Sequence, residues 1–222
     1  DVIDINCGCP AWKVIKTGAG SEMLKKPDGI AKLVRLLVKT IKKPVSVKLR
    51  LGIDDKSINV IETAKLIEEA GVVGIAVHGR TQKQGYSGKA DWEMIKKVKE
   101  AVNIFVIGNG DVFTPEDFKK RLDESRVDAI MIARGAIGNP YIFKQINDYL
   151  VTGKYDFKNK IDQFFEYLEL AEKYNIPFSQ IKNHAISFTK GIEGGANLRN
   201  ELSRCKNNNE IKVILNKVNK NI

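Results

Sequence analysis

The sequence predicts a parallel α/β fold: a TIM-type (β/α)8 barrel of which about five β/α units are present, followed by a small all-α helical bundle. Three observations predict it. Short aliphatic runs alternate with segments of helical periodicity, the pattern of strand–helix–strand crossovers. Most of these runs are near-continuous in Val, Ile and Ala rather than alternating with polar residues, as in strands covered on both faces. Each run then ends in polar or glycine-rich chemistry: Asn6 and Cys9, Lys48 and Arg50, His78 and Arg80, Asn109 to Asp111, Arg134 and Gly135. A doubly wound sheet concentrates its site at one switch point. A barrel gathers residues from several strand ends around one mouth.

Val2, Ile3 and Ile5 make the first strand, and Gly8 and Pro10 stop it. A loop with Gly18 and Gly20 follows. Pro27 and Asp28 open a helix whose Ile30, Leu33, Val34, Leu37, Val38 and Ile41 form one stripe. Pro44 restarts the chain as a strand from Val45 to Arg50, ended by Gly52. Ser57 is the expected cap of the next helix, which stops at Ala70-Gly71. A strand from Val73 to Val77 runs into His78-Gly79-Arg80-Thr81, and a helix spans about 91–101. The strand from Ile104 to Ile107 ends in Gly108-Asn109-Gly110-Asp111. Thr114-Pro115-Glu116-Asp117 starts a helix with a cap, a proline at the first position and acids in the first turn. The last strand, Val127 to Ile132, leads to Ala133-Arg134-Gly135, and Asn139-Pro140 opens a helix to about Leu150.

Composition changes near Gly153, which divides the chain into residues 1–152, the barrel units, and residues 153–222, helices only. The first of these helices shows Ile161, Phe164, Phe165, Leu168 and Ala171 on one face and is broken by Pro177. The others carry Ile181, Ala185 and Phe188; Leu198, Leu202 and Cys205; and Ile211, Ile214, Leu215 and Val218.

The 222 residues carry a net charge of +10, from 37 Lys and Arg against 27 Asp and Glu. From Ser179 onward the count is 8 basic against 3 acidic. A Lys-rich solvated surface accounts for the excess, and so does a polyanionic partner whose phosphates release counterions. No apolar run approaches the roughly 20 residues needed to span a bilayer. Three cysteines make no disulfide framework, and no cluster completes a metal site, so a reducing, cytoplasmic setting is expected. The chain opens inside a strand and without Met, so a fragment lacking about three upstream β/α units is expected.

Glycine-rich loops after the last two strands of a barrel commonly form a phosphate site from backbone N–H groups. Gly108 to Asp111 and Ala133 to Gly135 occupy those places, and Arg134 can grip phosphate through two donors; ordinary turn glycines and a surface arginine are the plainer reading. Lys48 lies within a strand, where a charge needs a compensating partner or ligand unless it reaches solvent along an edge. It shares a face with Arg50 by period-two alternation. His78 is either a satisfied structural histidine or a phosphate or ring contact. Cys7 reads as a small buried hydrophobe. Cys9 lies beyond the strand end, where its thiol can face a substrate and donate a proton to a developing carbanion, or can simply pack.

Together these residues resemble the tRNA-dihydrouridine synthase family. The matching motifs are Asp4-Ile5-Asn6-Cys7-Gly8-Cys9-Pro10, Val47-Lys48-Leu49-Arg50-Leu51-Gly52, His78-Gly79-Arg80-Thr81, Gly108-Asn109-Gly110-Asp111, and Met131 to Ala136 with Gly138-Asn139-Pro140. Their order and the trailing helices also match. The resemblance implies an FMN-dependent barrel, reduced by NADPH or NADH, and a helical domain that helps hold tRNA. It implies hydride delivery to C6 of a uridine and a proton from Cys9 to C5. Lys48 matches the lysine at the N1/O2 edge of the flavin. His78, Asn109, Gly110, Asp111, Ala133 and Arg134 match flavin and phosphate contacts. Asn6 and Arg80 match substrate contacts. The target base must leave the RNA stack to reach a barrel mouth. Lys182, Lys190, Arg199, Arg204 and Lys206 are then candidate RNA backbone contacts, each also readable as a solvated side chain. The full-length protein is expected to be a cytoplasmic monomer.

Two features depart from the family pattern. Gln82 stands where many members have a second arginine after His-Gly-Arg-Thr. The barrel strands that carry a Pro-Met-Ala-like flavin contact are not in this sequence, so weak FMN binding by this stretch alone is expected. Two other readings compete: another FMN barrel reductase of the dihydroorotate or enoate type, and a non-catalytic RNA-binding fragment.

Overall fold

A computed structural model describes residues 1–219 and divides them into two compact units. The first comprises residues 1–112 and 117–133, the second residues 113–116 and everything from Arg134 on.

The first unit is a parallel five-stranded sheet: β1 (Ile3–Cys7), β2 (Val45–Arg50), β3 (Gly74–His78), β4 (Phe105–Asn109) and β5 (Ala129–Met131). The strands lie side by side in chain order. Each parallel step needs a crossover, and these are α2 (Pro27–Thr40), α3 (Val60–Glu69), α4 (Trp92–Ala101) and α5 (Pro115–Ser125). The short α1 (Trp12–Ile15) and a 3₁₀ segment, Gly20–Lys25, occupy the stretch expected to be a plain loop.

Register separates the two faces of the sheet. Val45, Val47 and Leu49 of β2, Ile75 and Val77 of β3, and Val106 of β4 join Ile30, Val34, Ile67, Ile95 and Val98 of the helices in one apolar core. The other face carries Asn6, Lys48, Ala76 and Ile107 as one row, and Arg50, His78, Asn109 and Met131 as the next row toward the strand ends. So the polar residues of β2, β3 and β4 line up because the strands are parallel and in register.

Three boundaries differ from the sequence expectation. Ser57 does not cap α3: Asn59 precedes that helix, while Ser57 Oγ donates to Asp54 in a local turn, at 2.7 Å to Oδ1. β5 is only three residues long. The helix expected from Asn139-Pro140 begins at Ile142 and continues to Thr152, as α6.

The second unit holds α6 (Ile142–Thr152), α7 (Lys160–Lys173), α8 (Phe178–Phe188), α9 (Gly195–Arg204) and α10 (Asn208–Asn219). Phe164, Leu168, Ile181, Phe188, Leu202, Ile211 and Leu215 form a second apolar core. The compact unit starts at Arg134, whereas composition changes near Gly153. The cause is polar: the Tyr141 amide donates to Gln163 of α7 at 3.2 Å, and Gln145 of α6 donates to the Asp156 carbonyl at 3.0 Å, so α6 goes with the helices that follow it.

Candidate active site at the strand ends

The loop that carries Cys9 follows the carboxyl end of β1 and is reached by Arg50 from the carboxyl end of β2. Asn6 organises that loop: its Oδ1 accepts the amides of both Gly8 and Cys9, each at 3.0 Å. With the side-chain oxygen fixed by two donors, the Asn6 amide NH2 is the end left for a ligand, and no acceptor for it lies among the described residues. The Cys9 carbonyl accepts from Ser21, through the amide at 3.0 Å and Oγ at 2.9 Å. Gly20 packs so closely that a Cβ there would sit 2.6 Å from the Cys9 carbonyl oxygen. Cys9 itself is half-buried. Cys7 points the other way, into the core. Burial, and then the Asp4 carboxylate, push its thiol up to about 12. β1 ends at Cys7 and the chain turns over Asn6 before Cys9, so the two thiols have opposite surroundings.

Arg50 holds the loop from β2. Its Nε donates to the Gly8 carbonyl at 2.9 Å, and Nη1 donates to the carbonyls of Thr81 at 2.8 Å and Gly85 at 3.0 Å. The sequence placed Arg50 on the face of Lys48 but gave it no task. Lys48 Nζ donates to Asn109 Oδ1 at 3.3 Å, and Asn109 in turn donates from Nδ2 to the Met131 carbonyl at 2.8 Å. Burial, then the Arg50 cation, hold the Lys48 pKa below the ordinary lysine value, partly offset by Asp4. Beside it the His78 ring is buried and its pKa is lowered to about 3, by desolvation first and then by Arg50, Lys48 and Arg80. The imidazole is thus neutral at physiological pH. The surroundings are positive and poorly hydrated, which favours an anionic or electron-rich ligand edge.

Arg80 is buried and paired. It is 1% exposed. Nη1 and Nη2 donate to Asp111 Oδ1 and Oδ2 at 2.9 and 2.7 Å, Nε donates to the Ser87 carbonyl at 2.9 Å, and Nη2 also reaches the Gly88 carbonyl at 2.5 Å. Asp111 Oδ2 further accepts the Ala90 amide at 2.7 Å. The pair Arg80–Asp111 ties the β3 loop to the β4 loop. The Asp111 carboxylate is committed as well, and its backbone is held in the left-handed region at φ 51°. The Gly110 carbonyl accepts from Trp92 Nε1 at 2.9 Å, and at φ 134° a Cβ on Gly110 would come within 2.5 Å of Ala90 Cβ. Trp92, unassigned from sequence, thus fixes the glycine-rich loop from beneath.

Ala133 is exposed after β5. Arg134 lies in the second unit, with its guanidinium over the Phe113 ring at 5.7 Å. Among the basic residues of the helices, Lys182 Nζ donates to the carbonyls of Ser203 and Cys205 at 3.1 and 3.3 Å and so caps the end of α9. Arg199 donates to the Thr189 carbonyl at 3.3 Å. Lys190, Arg204 and Lys206 are exposed.

The family model for dihydrouridine synthase (Dus) matches residues 1–222. The chain belongs to the dihydrouridine synthase family. The probable tRNA-dihydrouridine synthase of Rickettsia bellii is 38% identical over 207 residues, covering 89% of this chain and 63% of that one. The probable tRNA-dihydrouridine synthase 1 of Synechocystis sp. is 36% identical over 222 residues, covering 96% and 62%. The tRNA-dihydrouridine synthase B of Vibrio vulnificus is 47% identical over 152 residues, covering 68% and 47%. The chain thus spans about three-fifths of the length of the first two relatives. No helix among the described residues is long and apolar enough to cross a membrane.

Proposed function

We propose that the chain forms the Cys9-bearing part of an enzyme that reduces uridine to 5,6-dihydrouridine in tRNA. The observation that carries the reading is the contrast between two neighbouring thiols. Cys7 is sealed in the core, while Cys9 stands half-buried at the strand ends, its loop fixed from both sides by Asn6 and Arg50. The sheet order supports five units of a TIM-type barrel, because barrel strands follow chain order whereas doubly wound sheets reverse it.

The residues present fit an FMN. Lys48 is a partly desolvated cation that donates to the neutral Asn109 oxygen, which suits the electron-rich edge of a reduced ring. His78 presents a neutral ring, and Asn109, Gly110 and Asp111 match the flavin contacts by the family motif. Ala133 and Arg134 carry the phosphate contact by the family motif. When bound, FMN supplies the hydride that reaches C6 of the uracil, with NADPH or NADH as the source of electrons. The protein's own residues do the rest. Asn6 orients the uracil through its amide NH2. Cys9 Sγ gives its proton to C5, so that one hydride and one proton saturate the C5–C6 bond, and the thiolate regains a proton from solvent. Residues 153–222, through Lys190, Arg204 and Lys206, hold the RNA backbone without reading sequence. The full-length protein is read as a cytoplasmic monomer.

The test is dihydrouridine formation by the full-length, flavin-loaded protein on an unmodified tRNA transcript, wild type beside Cys9→Ala. A loss of about 100-fold or more is expected for removal of a general acid. Full activity in Cys9→Ala would refute the assignment of the proton donor.

A further inference from the structure

Trp12 has no part in the chemistry above, yet it is 73% exposed and opens α1 three residues after Cys9. The indole is an expensive group to leave in water unless something covers it. Trp12, Pro10, Ile15 and Ile53 form the apolar part of an open cleft of about 730 Å³. Lys16, Gly18, Glu22, Lys25, Gln82 and Lys83 complete its lining. Glu22 is held by Lys25 at 2.5 Å, and Lys83 by Asp54 at 2.7 Å. Lys16 and the adjacent Lys13 are exposed, with no carboxylate partner among the described residues. The walls are pinned: the Gln82 amide donates to the Gly52 carbonyl and the Lys83 amide to the Ile53 carbonyl, both at 2.9 Å.

A bare aromatic face beside unpaired cations is the combination that holds single-stranded nucleic acid, the ring stacking a base and the cations following its phosphates. Extruding a uridine also strips its neighbours of a stacking partner. A ring three residues from the proton donor replaces that partner. An apolar peptide would cover Trp12 but would gain nothing from Lys13 and Lys16. We propose that this cleft is a second RNA subsite, in which an unpaired base next to the reacting uridine stacks on Trp12 and its phosphates lie against Lys13 and Lys16. The proposal rests on the uridine-reducing reading.

Within this chain Trp92 is buried and Trp12 is exposed, so in the full-length protein the iodide-quenched signal that Trp12→Phe removes is that of Trp12. With full-length, flavin-loaded protein, an unmodified tRNA transcript shields Trp12 from iodide. Trp12→Ala weakens binding of the transcript about tenfold or more, while Trp12→Phe, which keeps a stacking face, stays within about threefold of wild type. Lys16→Glu lowers the affinity and reduces the log–log salt slope by about one. Wild-type affinity in Trp12→Ala, iodide access unchanged by RNA, or a Trp12 already shielded in the RNA-free protein would each overturn the subsite. If wild-type protein still makes dihydrouridine in those cases, only the subsite falls. If it makes none, the underlying reading falls with it.

Discussion

Arg50 Nε donates to the Gly8 carbonyl at 2.9 Å, so the end of β2 grips the backbone one residue before the Cys9 thiol. The same guanidinium reaches Thr81 and Gly85 in the loop after β3. One buried side chain thus sets the separation of two loops. Lysine in its place keeps the charge but not the planar fork. Arg50→Lys is expected to cost about 2–3 kcal/mol of stability in urea unfolding, from carbonyls left without donors. It should also speed alkylation of Cys9, because the loop loosens. Unchanged stability and unchanged labelling would show that the three carbonyls do not depend on the guanidinium.

The thiols should react in a fixed order. Thiolate is the nucleophile, and burial raises the pKa of both Cys7 and Cys205. Cys9 is the one thiol that is not buried. Limited iodoacetamide treatment of native protein at pH 8, followed by peptide mass spectrometry, is expected to modify Cys9 at least about tenfold faster than either of the others. Preferential labelling of Cys7 would contradict the orientation of β1.

His78 gives a pH dependence with a definite sign. Its folded pKa, about 3, lies below the unfolded value of about 6.5. The unfolded chain therefore binds a proton first as pH falls. The neutral ring costs nothing above about pH 6.5, and stability declines progressively from there toward pH 3. His78→Gln is expected to flatten this acid slope while lowering stability near pH 7, where the packed ring is lost. In NMR titrations the His78 ring should stay neutral down to about pH 4. A midpoint near 6.5 would show that the ring is solvated.

Much of this site was legible because parallel register converts sequence motifs into rows. Lys48, His78 and Asn109 were each placed at a strand end from the aliphatic runs before them, and the sheet brings their rows together. For Arg80 and Lys182 the sequence is ambiguous, because a basic residue in a motif or a basic segment looks the same whether it faces ligand or backbone carbonyls. Only the fold shows Asp111 beneath Arg80 and the α9 terminus beneath Lys182. Trp92 escaped notice for a related reason: its position in an amphipathic helix signals core, and nothing in the chain marks that its N–H reaches Gly110.

Lys182 and Lys190 lie on or next to one helix yet should separate under mutation. Lys182→Ala removes a donor from two carbonyls at the end of α9, which is expected to cost about 1 kcal/mol of stability and little RNA affinity. Lys190 is exposed, so Lys190→Ala is expected to leave stability within about 0.5 kcal/mol. It should weaken tRNA binding and reduce its salt slope by about one. Thermal unfolding and filter binding at several salt concentrations distinguish the two. A reversed pattern would place Lys182, not Lys190, on the RNA face.

Gly20 and Gly18 offer an internally controlled test of how the Cys9 loop is held. Both have positive φ, +62° and +81°. Alanine at Gly18 meets open space, so only the left-handed backbone is penalised, by about 1–2 kcal/mol. Alanine at Gly20 carries the same backbone penalty and drives a methyl to 2.6 Å from the Cys9 carbonyl oxygen and 2.9 Å from Val14 Cγ1. That carbonyl cannot retreat without giving up both Ser21 donors. Gly20→Ala is therefore expected to cost about 1–3 kcal/mol more than Gly18→Ala. It should also change the alkylation rate of Cys9, which Gly18→Ala leaves alone. Equal effects of the two substitutions in urea unfolding would mean that the loop yields freely, and that the position of Cys9 is not set by its packing against Gly20.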